Sequence, residues 1–459
     1  MSNDKIIRVA NAQGFWGDSL LGPVRLVNEG PVDYLTFDYL AEITMSIMQK
    51  QKMRKPDMGY AMDFIPMLKE ILTTCHEKGI KVIANAGGVN PKACLAATKS
   101  VIEELGLNGM KVAIVEGDDI MSRLDEFTAK GEALSNMDTG EALDIVKDKI
   151  TSANVYIGAQ PIVEALQAGA DIVITGRASD PSLVVAPLVY EFGWSMDDYD
   201  KVAAATIMGH ITECGPQCTG GNYVGWRDVK DFARIGYPVI EASSDGSFVV
   251  TKHDGTGGLV SVETVTSQLL YELGDPENYL GPDCVADFTS INIAQAGEDR
   301  VAVSGIKGGP ATPTYKVSVS YEKGYKILST LSIAGPDAVE KAEVIADMIF
   351  ERVKMHGFNI PKEDRFVELF GTNVLYKGIV GENHQPHELL LRIGAKSDSA
   401  KALNTLGMEI APAVTSGPPG VTGIAGGRAK ATGVVGYWPA LIDKTLIETS
   451  FTLEEVNCA

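Results

Sequence analysis

Hydrophobic positions in the first 180 residues follow two spacings. Short, nearly unbroken apolar runs at residues 6–10, 34–37, 81–84, 111–115 and 171–175 have the length of buried strands. Between them, Met62, Ile65, Leu68, Ile71, Leu72 and Cys75 recur at the intervals of one helix face. Gly79 stops that helix. Pro91 opens the next, through Leu105, because a first-turn position loses nothing by lacking an N–H. A strand at 155–157 and an apolar helix at 161–166 repeat the pattern. Strands separated by helices pair in parallel, and the crossover helices cover both sheet faces. The expected fold of the N-terminal half is therefore α/β, a mostly parallel, Rossmann-like sheet flanked by helices. A partial barrel is the alternative. Both arrangements gather ligands beyond the carboxyl ends of the strands.

From about residue 240 the texture changes. Residues 314–321 alternate, Gly324 offers a turn, and residues 325–333 alternate again, which predicts a hairpin. A helix at 337–355 and strands at 365–370 and 389–393 follow. The expected organisation is an α/β domain over 1–240 and a closely packed α+β domain over 241–459, with the boundary at 235–250.

Charge narrows the function. Lys and Arg number 40 against 60 Asp and Glu, a formal net charge of −20. A nucleic-acid partner needs a basic footprint and is not expected. No apolar run reaches the 18 residues of a membrane span, and the polar N-terminus has no leader pattern. A cytoplasmic location without disulfides, no membrane partner and homo-oligomerisation are the corresponding expectations.

The densest polar segment is GHITECGPQCTGGN, residues 209–222. His210 is a proton carrier near neutral pH, Glu213 a candidate general acid or base, and Cys214 a candidate nucleophile if a neighbour makes its thiolate. These three are the candidate catalytic residues. Gly215-Pro216 breaks any helix there, so the segment reads as a helix end running into a glycine-rich loop, with a tight buried turn as the plain alternative. Three ligands without a CxxC leave a metal conceivable but not favoured.

Other candidates sit at predicted strand ends and loops, and are read as substrate-binding. Arg177, Ser179 and Asp180 follow the strand at 171–175, and Asp180-Pro181 suits a helix N-cap and first position. Gly14 and Asp18 follow the first strand, and Asn85 the third. Asp118-Asp119, after the fourth, reads as a solvated loop before it reads as a Mg²⁺ site. His253, Thr256 and Gly257 lie in a glycine-rich turn, and Ser416, Gly417 and Arg428 in a Gly/Pro loop region. Each has an ordinary structural reading as a cap, turn or ion pair. Neither GxGxxG nor a P-loop is present, so no nucleotide cofactor is indicated and the cofactor is unknown.

These segments together resemble the acyclic terpene utilisation (AtuA) family. The resemblance is carried by DYLTFDYLAE, NAGGVNPKA, VEGDD, DIVITGRASDPSL, GHITECGPQCTGGN, GTGGLVSVETV, GDPENYLGPDCVADF, SGPPGVTG and VVGYWPALI, in order from about residue 7 to about residue 442. Cys218 departs from the small, non-thiol residue of relatives, which weakens a two-thiol metal site. The resemblance implies catabolism of a small carboxylic acid or its acyl-CoA thioester, and the family name refers to branched, unsaturated terpenoid acids. It assigns no catalytic residue. The expected function is a catabolic enzyme of hydro-lyase, acid–base type. Cys-dependent acyl transfer or hydrolysis is the first alternative, and a non-catalytic subunit of a catabolic complex the second.

Overall fold

Five strands carry the site: β1 (Ile6–Gln13), β2 (Tyr34–Phe37), β3 (Lys81–Ala84), β4 (Lys111–Glu116) and, after β5 (Ile150–Val155), β6 (Ile172–Thr175). In the computed structural model, which describes residues 5–372, 374–376, 379, 385–423 and 426–458, they pair in parallel in the order β1-β2-β3-β6-β4. β2 and β6 are buried at every position, as expected of parallel strands covered on both faces.

The helices that join them are α1 (Leu21–Glu29), α2 (Thr44–Arg54), α3 (Phe64–Lys78), α4 (Pro91–Leu105), α5 (Leu124–Ala129) and α6 (Gln160–Gln167), and α7 (Ser182–Phe192) and α8 (Tyr199–Thr212) follow β6. Gly79 and Gly106 end α3 and α4 in the left-handed conformation. The buried face of α3, with Phe64, Leu68, Ile71 and Cys75, packs in one core with Leu35, Val82 and Ile172 of the sheet. The helical spacing read from the sequence is this face.

The sheet is mixed, with ten strands among the described residues. Beside β1 it continues through β7 (Val239–Ser243) and β8 (Phe248–Thr251). After α9 (Val262–Leu269), β9 (Tyr279–Leu280) and β10 (Val285–Asp287), it takes in β11 (Asn292–Gly297) and β12 (Arg300–Ser304). These additions are antiparallel. The order is not that of two halves diverging from a central first strand, because β1 lies between parallel β2 and antiparallel β7. Residues on both sides of 240 thus share one sheet.

Beyond β13 (Lys307–Gly309), the hairpin expected around Gly324 is a single strand, β14 (Thr314–Ala334). Gly324 has a left-handed φ of 73° but no second turn residue beside it, and the strand continues through it without reversing. A β-carbon at Gly324 would lie 2.8 Å from Asp398 Oδ1.

The chain forms two compact units, residues 1–320 with 437–459 and residues 321–436. In the second, helices α10 (Ala338–Met355) and α11 (Ala400–Ile410) cover β15 (Arg365–Phe370), β16 (Glu388–Ser397) and residues 325–334 of β14 through Ile345, Ile349, Leu391 and Leu403. The short α12 (Ala413–Ser416) and β17 (Val421–Thr422) complete it, and β18 (Thr432–Asp443) leads back to the first unit, where β19 (Ser450–Glu455) closes the large sheet against β4. Among the described residues, no helix is long and apolar enough to cross a membrane.

Candidate functional site: a carboxylate cluster at the strand ends

Each parallel strand delivers a polar residue at its carboxyl end. β2 ends at Asp38, β3 at Asn85, β4 at Asp118, and β6 at Gly176-Arg177. Asn85 is fully buried. Its Nδ2 donates to Asp38 Oδ1 at 2.6 Å, and its Oδ1 accepts from the Tyr39 N–H at 2.7 Å. Asn85 therefore aims the Asp38 carboxylate rather than facing a ligand itself.

Arg177 is the centre. Its guanidinium is buried, donates to the Leu40 carbonyl, pairs with Asp180 at 3.1 Å and lies 4.1 Å from the Tyr156 ring centroid. The Tyr156 hydroxyl reaches Glu42 at 3.3 Å. Asp38, Glu42, Asp180 and Glu213 all fall within the same electrostatic neighbourhood. Asp38, Glu42 and Asp180 thus share one guanidinium, with Glu213 close to Asp38 and Asp180. Burial pushes Asp38 up to about 7, although Arg177 and Asn85 oppose it. Burial raises Asp180 well above the carboxylate range, and Asp38, Glu213 and Glu42 add to the effect against Arg177. For Glu42, burial is outweighed by a backbone hydrogen bond, Arg177 and Lys316, and it is held low.

α8 brings the second half of the cluster. It ends at Thr212, and the chain continues into a short 3₁₀ turn at Gly215–Thr219, the helix-end-to-loop arrangement read from the sequence. His210 is buried, with its ring edge-on to Tyr279 and Phe288 at centroid distances of 5.4 and 5.3 Å. Its Nδ1 lies 3.3 Å from Glu213 Oε1. Burial depresses the imidazole pKa, but Glu213 and the Leu269 and Gln268 backbone together offset this and the net shift is upward. Burial pushes the Cys214 thiol up to about 12, so it is protonated at neutral pH and a poor nucleophile. Arg177 Nε and Glu213 Oε2 are shielded and lack a hydrogen-bond partner, an arrangement that native proteins seldom leave unexplained.

The expected N-cap role of Asp180 is not observed. Pro181 occupies the cap position of α7 without a side-chain cap bond. Asp283 ties the starts of two helices together, accepting from Ser182 Oγ of α7 at 2.5 Å and from the N–H of Ala159, which precedes α6, at 2.8 Å. Asp180 faces Arg177. Ser179 borders a cavity of about 210 Å³ beside the cluster, together with Tyr156, Lys316 and the apolar Met137, Leu280 and Leu441.

The remaining candidates lie elsewhere. Asp18 Oδ2 accepts from the Gly14 N–H at 2.9 Å, and Asp18 Oδ1 from the Tyr237 hydroxyl at 2.8 Å, fixing the loop after β1. His253 is packed on Gly30, and burial lowers its pKa. With Thr256 it borders a separate cavity of about 150 Å³, while the Gly257 N–H donates to the Arg234 carbonyl at 2.8 Å. Ser416, Gly417 and Arg428 belong to the second unit. There, Ser416 Oγ accepts from Arg352 at 3.0 Å, the Gly417 N–H closes α12 on the Ala413 carbonyl at 3.0 Å, and Arg428 borders a cavity of about 260 Å³ with Gly407 and Ile410. Among the described residues, no group of three or more His, Cys, Asp or Glu side chains is arranged to hold a metal ion.

Asp38, Glu42, Tyr156, Tyr279 and Lys316 were not among the sequence candidates. Asp38 carried the signal that selected Asn85 and Arg177, a polar residue directly after an apolar run. Lys316 carried none, because it is one position of an alternating strand.

Asp118 shows how the shell is built. Its Oδ2 accepts from the Arg177 N–H at 2.8 Å and from Asn154 Nδ2 at 3.0 Å, and burial pushes it up to about 7. The folded state then holds a proton that the unfolded chain releases near pH 4. This group's contribution is most favourable below about pH 4 and is lost as the pH rises through about 7. Relative to Asp118→Asn, the wild-type chain should lose up to about 1.4 kcal/mol of stability per pH unit between pH 5 and 7. Urea denaturation at pH 5, 6, 7 and 8 measures this, and a pH-independent difference would refute it.

Fold and cluster together define a mixed α/β protein with a buried, acid-rich constellation at the carboxyl edge of a parallel sheet core. The chain belongs to the acyclic terpene utilisation family. The family model, described as acyclic terpene utilisation family protein AtuA, matches residues 7–453. No curated protein and no solved structure matches it.

Proposed function

We propose that the chain is a catabolic enzyme performing acid–base chemistry of the hydro-lyase kind on the acyl group of a small carboxylic acid thioester. The observation that carries this reading is the buried cluster of Asp38, Glu42 and Asp180 around Arg177, with Glu213 beside Asp38 and Asp180. Burial, with neighbouring carboxylates adding to it, raises Asp38 and Asp180, and a carboxyl raised towards neutral pH serves as a proton donor or acceptor. Family membership supplies the context of terpene utilisation.

Arg177 is already engaged by Asp38, Glu42 and Asp180 and has no surplus charge for a substrate anion. A free carboxylate would add a further negative charge, whereas a thioester carbonyl adds none. The cavity supports the same substrate class. It is lined by Met137, Leu280 and Leu441, with the Lys316 ammonium 5.0 Å from the Tyr156 ring centroid. At about 210 Å³ it is smaller than the roughly 300–1,000 Å³ of drug-sized sites. It therefore accepts an acyl group while the rest of the thioester stays outside.

In this reading, Glu213 takes the proton next to the carbonyl, with His210 supporting its charge. Asp180 gives its proton to the departing hydroxyl, which leaves as water. Hydration is the reverse. The test is turnover of a panel of branched 3-hydroxyacyl and 2-enoyl thioesters, followed by the gain or loss of water in the product mass. Asp180→Asn should lose about 10²-fold or more on any substrate turned over, the scale of a lost acid–base group. Undiminished turnover in that variant would remove Asp180 from the mechanism.

A further inference from the structure

A second cavity, of about 200 Å³, lies beside β5 and is separate from the acyl cavity. Ser152 and Asn154, two residues apart and so on one face of β5, border it. They are 3 % and 0 % exposed, yet Ser152 Oγ and Asn154 Oδ1 lack a hydrogen-bond partner. Buried polar atoms are costly without one. Lys52 of α2 and Asp119 border the same space. Lys52 Nζ spends one donor on the Val89 carbonyl at 2.6 Å, and Asp119 Oδ1 accepts from the Met121 N–H at 3.0 Å. An ammonium has three donors and a carboxylate two acceptor oxygens, so each keeps capacity for a ligand.

We propose that this cavity binds a small zwitterionic amino acid, its carboxylate on Lys52 and the Ser152 hydroxyl, its ammonium on Asn154 Oδ1 and Asp119. One fixed cation and one fixed anion match a ligand that carries both charges. The site is wired to the cluster. The amide of Asn154 holds Asp118 Oδ2, the oxygen that also holds the Arg177 N–H. Asp118 lies directly against Gly176, where a β-carbon would lie 2.3 Å from its carboxylate. A ligand that fixes Asn154 therefore fixes the peptide that carries Arg177, whatever reaction the cluster performs.

The full chain is tested by thermal denaturation and calorimetry with L-alanine, L-serine and L-aspartate, each against its hydroxy-acid counterpart, L-lactate, L-glycerate and L-malate. At least one amino acid at millimolar concentration should raise the Tm by about 2 °C or more. Its hydroxy acid should bind about tenfold more weakly, having lost a charge-assisted hydrogen bond. Ser152→Ala should weaken binding about tenfold while the Tm without ligand is retained, since its hydroxyl gives up no protein partner. Lys52→Gln should weaken binding further. Hydrogen exchange of the Arg177 amide should slow on binding. No response to any amino acid, equal binding of the hydroxy acids, or full affinity in Ser152→Ala would overturn the site. Binding without a change at Arg177 would overturn the link to the cluster.

Discussion

Replacing Arg177 by Met should destabilise the fold by about 3–5 kcal/mol at pH 8, the usual cost of leaving buried charge uncompensated. The side chain is 2 % exposed, and its guanidinium is the shared counter-charge of Asp38, Glu42 and Asp180. Met fills most of the volume, so little of the loss comes from a cavity. The Leu40 carbonyl also loses its donor, and Tyr156 the cation stacked on its face. The pH dependence separates charge from packing. Without the guanidinium the carboxyl pKa values rise further, and acidification neutralises the groups that repel. The deficit should therefore shrink between pH 8 and pH 5. Arg177→Lys should recover part of it, because an ammonium restores charge without the planar fork. Chemical denaturation at the two pH values decides the matter. A loss below about 1 kcal/mol, or one that does not vary with pH, would mean that Arg177 does not balance the carboxylates.

Gly14→Ala should also be damaging, for a purely steric reason. A β-carbon there would lie 2.6 Å from Cys214 C, 2.7 Å from Gly215 N and 2.9 Å from Glu213 O. All three are backbone atoms, so no rotamer relieves the contact. The residues that follow α8 must shift, taking Glu213 with them. Overpacking of this kind costs about 1–3 kcal/mol. Because proton transfer depends on position within a fraction of an ångström, turnover should fall more steeply than stability, by about 10²-fold. Gly274→Ala is the control, with nothing within 4 Å of its β-carbon and an expected change within about 0.5 kcal/mol. Equal behaviour of the two variants would show that the contact at Gly14 relaxes freely.

Much of the site's location was legible before the fold. Strand ends marked by Asn85, Asp118 and Arg177 had to converge once the strands were parallel, because parallel pairing puts all carboxyl ends on one edge. The family resemblance, now shown by the match over residues 7–453, rests on those same segments. Local rules also placed α3, α4 and the end of α8, since helical spacing, a first-turn proline and terminal glycines act within a few residues.

Long-range contact decided the rest. Asp180 before Pro181 is a sound cap by local chemistry, yet α7 has no side-chain cap and Asp180 pairs with the buried Arg177 instead. Gly324 is a turn residue by type, but the paired neighbours of β14 keep it within a strand. The sequence alone determined the residue types, the periodicities and hence the sheet edge where acids collect. Only the tertiary structure decided which of them share a low-dielectric space, and that sharing sets their protonation. Charge interactions depend on distance and burial, and neither is a property of position along the chain.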